Sequence, residues 1–370
     1  MAPRWGRTLE RGVRRVCLAL ARRALGARRP MPAEALAAPA FRADAVLLVR
    51  IDRLGDLLVS TPAIAAVRAR FPAARLTLLV SPRTVRIAGW VPGVDEVLVF
   101  DRKRPASWPA LLRALRARKF ALAFDLNAAF SSTAMLLARL SGARCTATYD
   151  DPGARGWFDA LFPVDPEGHQ VRTHAGVGAV LGVAAPDRPV LDVPGGVPEI
   201  ARRFLEVHGI GADEPVVVLN PNLTRERYRW PIERFAALGD RAAAAGARVI
   251  VSCAGAAERE RALAVARQME APAAVLPGDW PLPDYVRFLR RASAFVSTMT
   301  GPAHVCEALG VPVVALCTPK QARGWRPLGA EHRVVVSTTD DATGIALEPV
   351  WAALEPLVRP APAGRLPPTP

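Results

Sequence analysis

Cysteine and histidine are scarce in this sequence, and their scatter excludes several kinds of chemistry. Cys17, Cys145, Cys253, Cys306 and Cys317 are odd in number and form no CxxC pair. Most lie in apolar stretches, which predicts reduced, buried thiols rather than a disulfide framework or a zinc site. The five histidines are dispersed and offer no ligand cluster. Asp-x-Asp is absent throughout, so a divalent metal chelated by such a pair is not expected. GxGxxG is absent too, which argues against a nicotinamide-dependent oxidoreductase. The apolar stretch at 16–21 is followed at once by Arg22 and Arg23. It is too short for a membrane-spanning helix or a convincing signal peptide.

What is present is ample apolar material and a strong excess of arginine. A chain of 370 residues with 51% hydrophobic content can build two domains, each with a core. The net charge of +15 calls for an anionic partner. Residues 1–44 hold ten arginines against Glu10, Glu34 and Asp44, so this leader alone contributes +7. On a helical wheel Arg4, Arg7, Arg11, Arg14, Arg15 and Arg22 share one face, with Trp5, Leu9, Val13, Val16 and Leu20 roughly opposite. That pattern predicts an interfacial helix, and residues 1–30 are expected to meet an anionic membrane surface. A helix packed on the protein itself, or a plain basic leader, is the alternative. A nucleic-acid partner is not expected, because much of the charge sits in the leader and no recognised binding motif accompanies it.

From residue 45 the pattern alternates between short apolar runs and helical spacing. Strands are predicted at 46–51, 76–80, 96–100, 120–124 and 144–148, with a helix over 57–70. Residues 150–197 are rich in Pro, Gly and Asp and contain no long periodic segment, so they read as a connection. The alternation restarts with strands at 215–219, 248–252, 273–276, 294–297 and 311–316. Helices are predicted at 231–245, 256–269, 282–291, 301–309 and 347–357. The division expected is a basic segment 1–44, an α/β domain 45–197, a second α/β domain 198–346, and a helix with a Pro-rich tail at 347–370. Two doubly wound, mainly parallel α/β domains facing a cleft is the predicted fold.

Three polar constellations fall at strand ends. The first, Arg50-Ile51-Asp52-Arg53-Leu54-Gly55-Asp56, brings two carboxylates and two guanidiniums to a strand–helix turn. Asp56 there serves either as a helix cap or as a general base, with Asp52 its competitor. The second runs from Asn220 to Pro231 and places Thr224, Arg225, Arg227 and Arg229 in one loop. Forked guanidiniums suit a diphosphate, and Trp230 suits a packing anchor. The third, Ser297 to His304, puts Thr300 and Gly301 ahead of Pro302, so a helix N-terminus offers free N–H groups to an anion. His304, in the first turn, either donates to a ligand or satisfies a core hydrogen bond.

These constellations, in this order, resemble glycosyltransferase family 9, the lipopolysaccharide heptosyltransferases. The motifs are Arg50…Gly55-Asp56-Leu57-Leu58…Thr61-Pro62, then Tyr228-Arg229-Trp230-Pro231, then Met299-Thr300-Gly301-Pro302-Ala303-His304. Phe71-Pro72, Gly310-Val311-Pro312 and Trp325-Arg326-Pro327-Leu328-Gly329 extend the resemblance across about 46–328. It implies a GT-B fold, inversion at the anomeric carbon, an ADP-heptose type of donor and a lipopolysaccharide-core or related glycolipid acceptor. It implies an enzyme with a nucleotide-sugar co-substrate and no further cofactor, and the reduced cysteines and basic leader add the expectation of a cytoplasmic chain, peripheral on the inner face of the cytoplasmic membrane. By matching position Asp56 is the catalytic base, and Thr224, Tyr228, Trp280, Thr300, Gly301, Pro302 and His304 line the donor site. Glu258 matches a residue that reaches the ribose; Arg225, Arg227, Arg229 and Met299 complete the donor set, and Arg50, Asp52 and Arg53 are assigned to the acceptor. Two positions depart from the family: Tyr228 replaces a usual Lys and Met299 a usual Asp. They leave a degenerate, non-catalytic nucleotide-sugar-binding homologue as the alternative.

Overall fold

A computed structural model describes residues 23, 25–28, 30–222 and 225–358. The arginine-rich face assigned to the leader, Thr224 and the Pro-rich tail fall wholly or largely outside the described residues.

Two all-parallel six-stranded sheets organise the chain. The first contains β1 (Ala45–Arg50), β2 (Arg75–Val80), β3 (Glu96–Val99), β4 (Leu122–Asp125), β5 (Cys145–Tyr149) and β6 (Ala160–Phe162). The second contains β7 (Val216–Asn220), β8 (Arg248–Val251), β9 (Ala273–Val275), β10 (Ala294–Thr298), β11 (Val313–Cys317) and β12 (Arg333–Val336). Helices cover both faces, so the central strands read as continuous Val, Leu and Ala runs and are buried along their length. The orders are β3-β2-β1-β4-β5-β6 and β12-β11-β10-β7-β8-β9, the same winding twice. Each reverses between its two central strands, β1/β4 and β10/β7, and ligands bind open parallel sheets outside the carboxyl ends at such a reversal.

The predicted helix at 57–70 is two helices, Leu54–Val59 and Thr61–Arg70. Pro62 has no N–H to give the Leu58 carbonyl, and the Thr61 hydroxyl donates to it instead at 2.8 Å. The connection over 150–197 also holds more structure than its composition suggests: β6 and the helix Gln170–Leu181, which packs on Thr61–Arg70. Gly176 and Gly178 had masked that helix. A β-carbon on Gly178 would lie 2.7 Å from the Ala185 Cβ and 2.8 Å from the Val183 carbonyl oxygen, so the returning chain demands glycine there. Helices Glu199–Val207 and Pro319–Trp325 and the edge strand β12 are further elements beyond the predicted set. Cys145, Cys253, Cys306 and Cys317 are free and buried, as expected. Among the described residues, no helix is long and apolar enough to cross a membrane.

Candidate active site

The first half of the site grows from the carboxyl end of β1. Arg50 is the last residue of that strand and is only 4% exposed, so its guanidinium is not a surface cation. Its Nε donates to the Asp56 main-chain oxygen at 2.8 Å, and Nη1 donates to Asn127 Oδ1 at 2.8 Å. Nη1 also lies 3.6 Å from Asp52 Oδ2, and Nη2 lies 3.6 Å from Asp56 Oδ1. Asp56 is in the first turn of helix Leu54–Val59, where Oδ2 accepts the Arg53 N–H at 3.2 Å. It caps its helix and still keeps a quarter of its side chain exposed. Capping and an accessible carboxylate therefore coexist in one residue. Burial raises the Asp52 carboxyl above the usual range, Arg50 opposes the rise, and Asp56 adds to it. Arg53 is exposed at the rim of the turn.

Behind Arg50 lies a buried polar group that the sequence did not announce. Asn127 donates to Asp125 Oδ1 through both its side chain (2.6 Å) and its main chain (3.1 Å). Burial pushes the Asp125 carboxyl up to about 7, against those two hydrogen bonds and the charge of Arg50. The Tyr149 hydroxyl sits 2.5 Å from His174 Nδ1, and burial holds that imidazole neutral.

The second half is built on β7 and β10. Asn220, at the end of β7, donates to Ser297 Oγ at 3.3 Å and Thr300 Oγ1 at 3.4 Å, tying the two strand ends together. Thr300 caps helix Gly301–Ala308 in extended geometry, and its side chain accepts no N–H of that helix. The N–H groups of Gly301 and Ala303 have no acceptor among the described residues, and Pro302 has no N–H. His304 is buried with Nδ1 3.0 Å from Glu307 Oε2, while Glu307 Oε1 accepts the Leu328 N–H at 2.9 Å. The core-hydrogen-bond reading of His304 holds, since a core carboxylate fixes it in the first turn of the helix. Met299 is 8% exposed and packs into the core.

The loop after β7 is pinned at both ends by Arg261, which donates to the Pro221 oxygen at 2.7 Å and the Trp230 oxygen at 2.9 Å. Trp230 is fully buried, donates to the Ile345 oxygen at 2.8 Å and packs edge-on against Phe235, so it is an anchor. Arg227 lies over the Tyr228 ring, 4.7 Å from its centre, and donates to the Tyr228 hydroxyl at 2.8 Å. Arg225 is exposed and Arg229 half-buried. Glu258 accepts the Ala254 N–H at 2.8 Å at the start of its helix, and burial raises its carboxyl. The half-buried Trp280 ring makes edge contacts with Phe204 and Phe288. Among the described residues, neither Glu258 nor Trp280 shares a hydrogen bond or ring contact with the 300–304 turn.

The two halves meet directly. A β-carbon on Gly55 would stand 3.1 Å from His304 Cδ2 and 3.5 Å from the Gly301 Cα. Asp56 is the next residue, so the turn that carries this carboxylate abuts the N-terminus of a helix from the other half. Arg287 over the Trp90 ring (4.9 Å) and Arg188 with Glu331 (3.1 Å) make further contacts between the halves. Cavities of about 410 and 290 Å³ lie elsewhere, one behind Ala308 and Leu309 and one at the amino edge of the first sheet. They are remote from the paired carboxyl-edge turns, and the chemistry follows the turns. No group of three or more His, Cys, Asp or Glu among the described residues is placed to hold a metal ion.

A carboxylate opposite a fixed positive helix end suits transfer of a group away from a diphosphate. The family model for glycosyltransferase family 9 (heptosyltransferase) matches residues 108–345. The chain belongs to glycosyltransferase family 9. It is therefore a glycosyltransferase of the heptosyltransferase type, although the matched residues begin beyond Asp56. Among curated family 9 relatives, lipopolysaccharide heptosyltransferase 1 of Pseudomonas aeruginosa is 28% identical over 290 residues, covering 74% of this chain and 78% of that protein. Lipopolysaccharide heptosyltransferase 3 of Escherichia coli is 25% identical over 288 residues, covering 74% and 83%. A family 9 crystal structure from Veillonella parvula superposes with TM-score 0.78 at 21% identity, over 87% of this chain and 99% of that one. The E. coli heptosyltransferase WaaC with ADP-2-deoxy-2-fluoro heptose superposes with TM-score 0.67 at 23% identity, over 84% and 99%. These likenesses support the predicted GT-B fold.

Proposed function

We propose that this family 9 enzyme is an inverting, metal-independent transferase. In this reading it moves a sugar, heptose in the leading case, from an ADP-linked donor to a lipopolysaccharide-core or related glycolipid acceptor. The observation that carries the proposal is the apposition of Gly55–Asp56 with the Gly301–His304 helix start. Asp56 takes the proton of the acceptor hydroxyl, whose oxygen attacks the anomeric carbon. The bond from that carbon to the diphosphate breaks on the opposite face, and its electron pair leaves with the nucleotide. The N–H groups of Gly301 and Ala303, and a helix end carrying about half a positive charge, stabilise the leaving oxygens.

In this scheme Thr224, Arg225, Arg227, Tyr228, Arg229, Glu258, Trp280, Met299, Thr300, Pro302 and His304 surround the donor. Arg227, drawn to the tip of Tyr228, supplies positive charge where the family usually has Lys. Asp52 and Arg53 face the acceptor. The work is done at the cytoplasmic face of the membrane, where residues 1–30 reach the anionic surface.

Two measurements test this. Thermal-shift screening against nucleotide sugars identifies the donor, with ADP-heptose expected to raise the melting temperature most. Asp56→Ala is expected to abolish turnover and leave ADP affinity within about twofold; unchanged turnover refutes the base assignment.

A further inference from the structure

The guanidinium of Arg50 touches three groups of the site from beneath it, and solvent hardly reaches it. We propose that Arg50 is a positioning residue for the base: it fixes the turn carrying Asp56 and keeps Asp52 and Asp56 from competing for one proton, with Asn127 holding it in place. This rests on the reading of Asp56 as the base.

The geometry uses the fork of an arginine. One nitrogen takes the Asp56 main-chain oxygen and another takes Asn127 Oδ1, both at 2.8 Å. The same guanidinium lies 3.6 Å from a carboxylate oxygen of Asp52 and 3.6 Å from one of Asp56. An ammonium has a single nitrogen and cannot span these directions at once. Asn127 is itself held by two donations to Asp125, which turn its oxygen toward Arg50. Asp52 Oδ2 is buried without a hydrogen-bond partner, so the charge of Arg50 is its main compensation.

The other charged and titratable groups around the pair do not replace it. Arg53 on the same turn and Arg102 from the loop after β3 are exposed, and solvent screens them. His304 on the facing helix is committed to Glu307. Beneath the pair lie Asp125, His174 and Tyr149, none of which adds positive charge. Of these cations Arg50 is the buried one. Without it, two carboxylates on one turn face each other with no buried cation between them, and such pairs share a proton.

The test compares native protein with Arg50→Lys, Arg50→Gln, Asn127→Ala and Arg50→Gln/Asp52→Asn. Turnover is followed from pH 5 to 9 as ADP release from ADP-heptose with a lipopolysaccharide-core glycolipid. ADP affinity and melting temperature are measured alongside, and carbon-13 titration of the aspartate carboxyls reads the pair without any substrate. Arg50→Lys is expected to lower kcat by about tenfold or more with ADP affinity unchanged, because sub-ångström misplacement of a base is costly. Arg50→Gln is expected to move the acid limb of the pH profile, and the carboxyl titration of the pair, upward by about one pH unit or more. Asn127→Ala moves both the same way by less, and adding Asp52→Asn restores the limb. A native carboxyl titration in Arg50→Gln overturns the proposal. If that variant does not fold, native kcat in both Arg50→Lys and Asn127→Ala overturns it. Turnover surviving in Asp56→Ala removes the base assignment instead, and the carboxyl titration still decides whether Arg50 governs the pair.

Discussion

Gly55→Ala separates the stability of the first domain from the catalytic contact between domains. Gly55 is inside helix Leu54–Val59 with a negative φ, so alanine suits its backbone and favours the helix by about 0.5–1 kcal/mol. The added carbon, however, lands 3.1 Å from His304 Cδ2, where carbon pairs prefer roughly 3.5–4.0 Å. His304 cannot easily retreat, because Glu307 holds its ring and Leu328 holds Glu307. The strain is expected to be relieved by parting the two helix ends by about half an ångström. A displacement of that size at the reacting centre costs kcat about tenfold. Differential scanning calorimetry with steady-state ADP release should therefore show a melting temperature equal to or above native, native ADP affinity, and about one-tenth the kcat. Gly301→Ala is the internal control: its new carbon meets Leu54 Cβ at 3.4 Å and Gly55 N at 3.5 Å, nearer ordinary contact, so its loss should be several-fold smaller. Native kcat in Gly55→Ala would show that catalysis does not depend on this junction.

Two further outcomes follow from buried groups. Trp230→Phe should cost only about 1 kcal/mol in urea unfolding, because the Ile345 oxygen keeps a second donor in Arg234. Trp230→Ala, which empties the space against Phe235, should cost about 3–5 kcal/mol. Asp125, whose folded pKa is raised to about 7, binds its proton more tightly folded than unfolded. Its contribution is thus complete below about pH 4 and is lost as pH rises through about 7. Between pH 5 and 8 the native protein should lose about 2 kcal/mol relative to Asp125→Asn, and parallel unfolding curves for the two proteins would sink that reading.

Much of the fold was legible because its signals are local. Buried parallel strands show as short Val and Leu runs, and Gly and Pro punctuate them, so ten of the twelve strands of the two sheets could be read in windows of a few residues. The connection failed that test because Gly176 and Gly178 weaken a helical pattern, and the need for Gly178 comes from Ala185 across a turn. In the site, Asp56, the 225–229 arginines and the Thr300–His304 turn were legible as polar groups at strand ends. Glu307 could also have been found, since it lies one helical turn beyond His304.

Sequence by itself determined two winding α/β units and the residues offered at their carboxyl edges, since backbone propensity and apolar spacing act over a few positions. Tertiary structure alone decided which of those residues are buried and which meet across the two halves. Arg50 reads like a rim cation until Asn127, 77 residues away, turns it inward. Gly55 and Gly301 become neighbours only when the helices that follow β1 and β10 meet. Charge burial and close approach depend on what the rest of the chain places nearby, and no local window contains that.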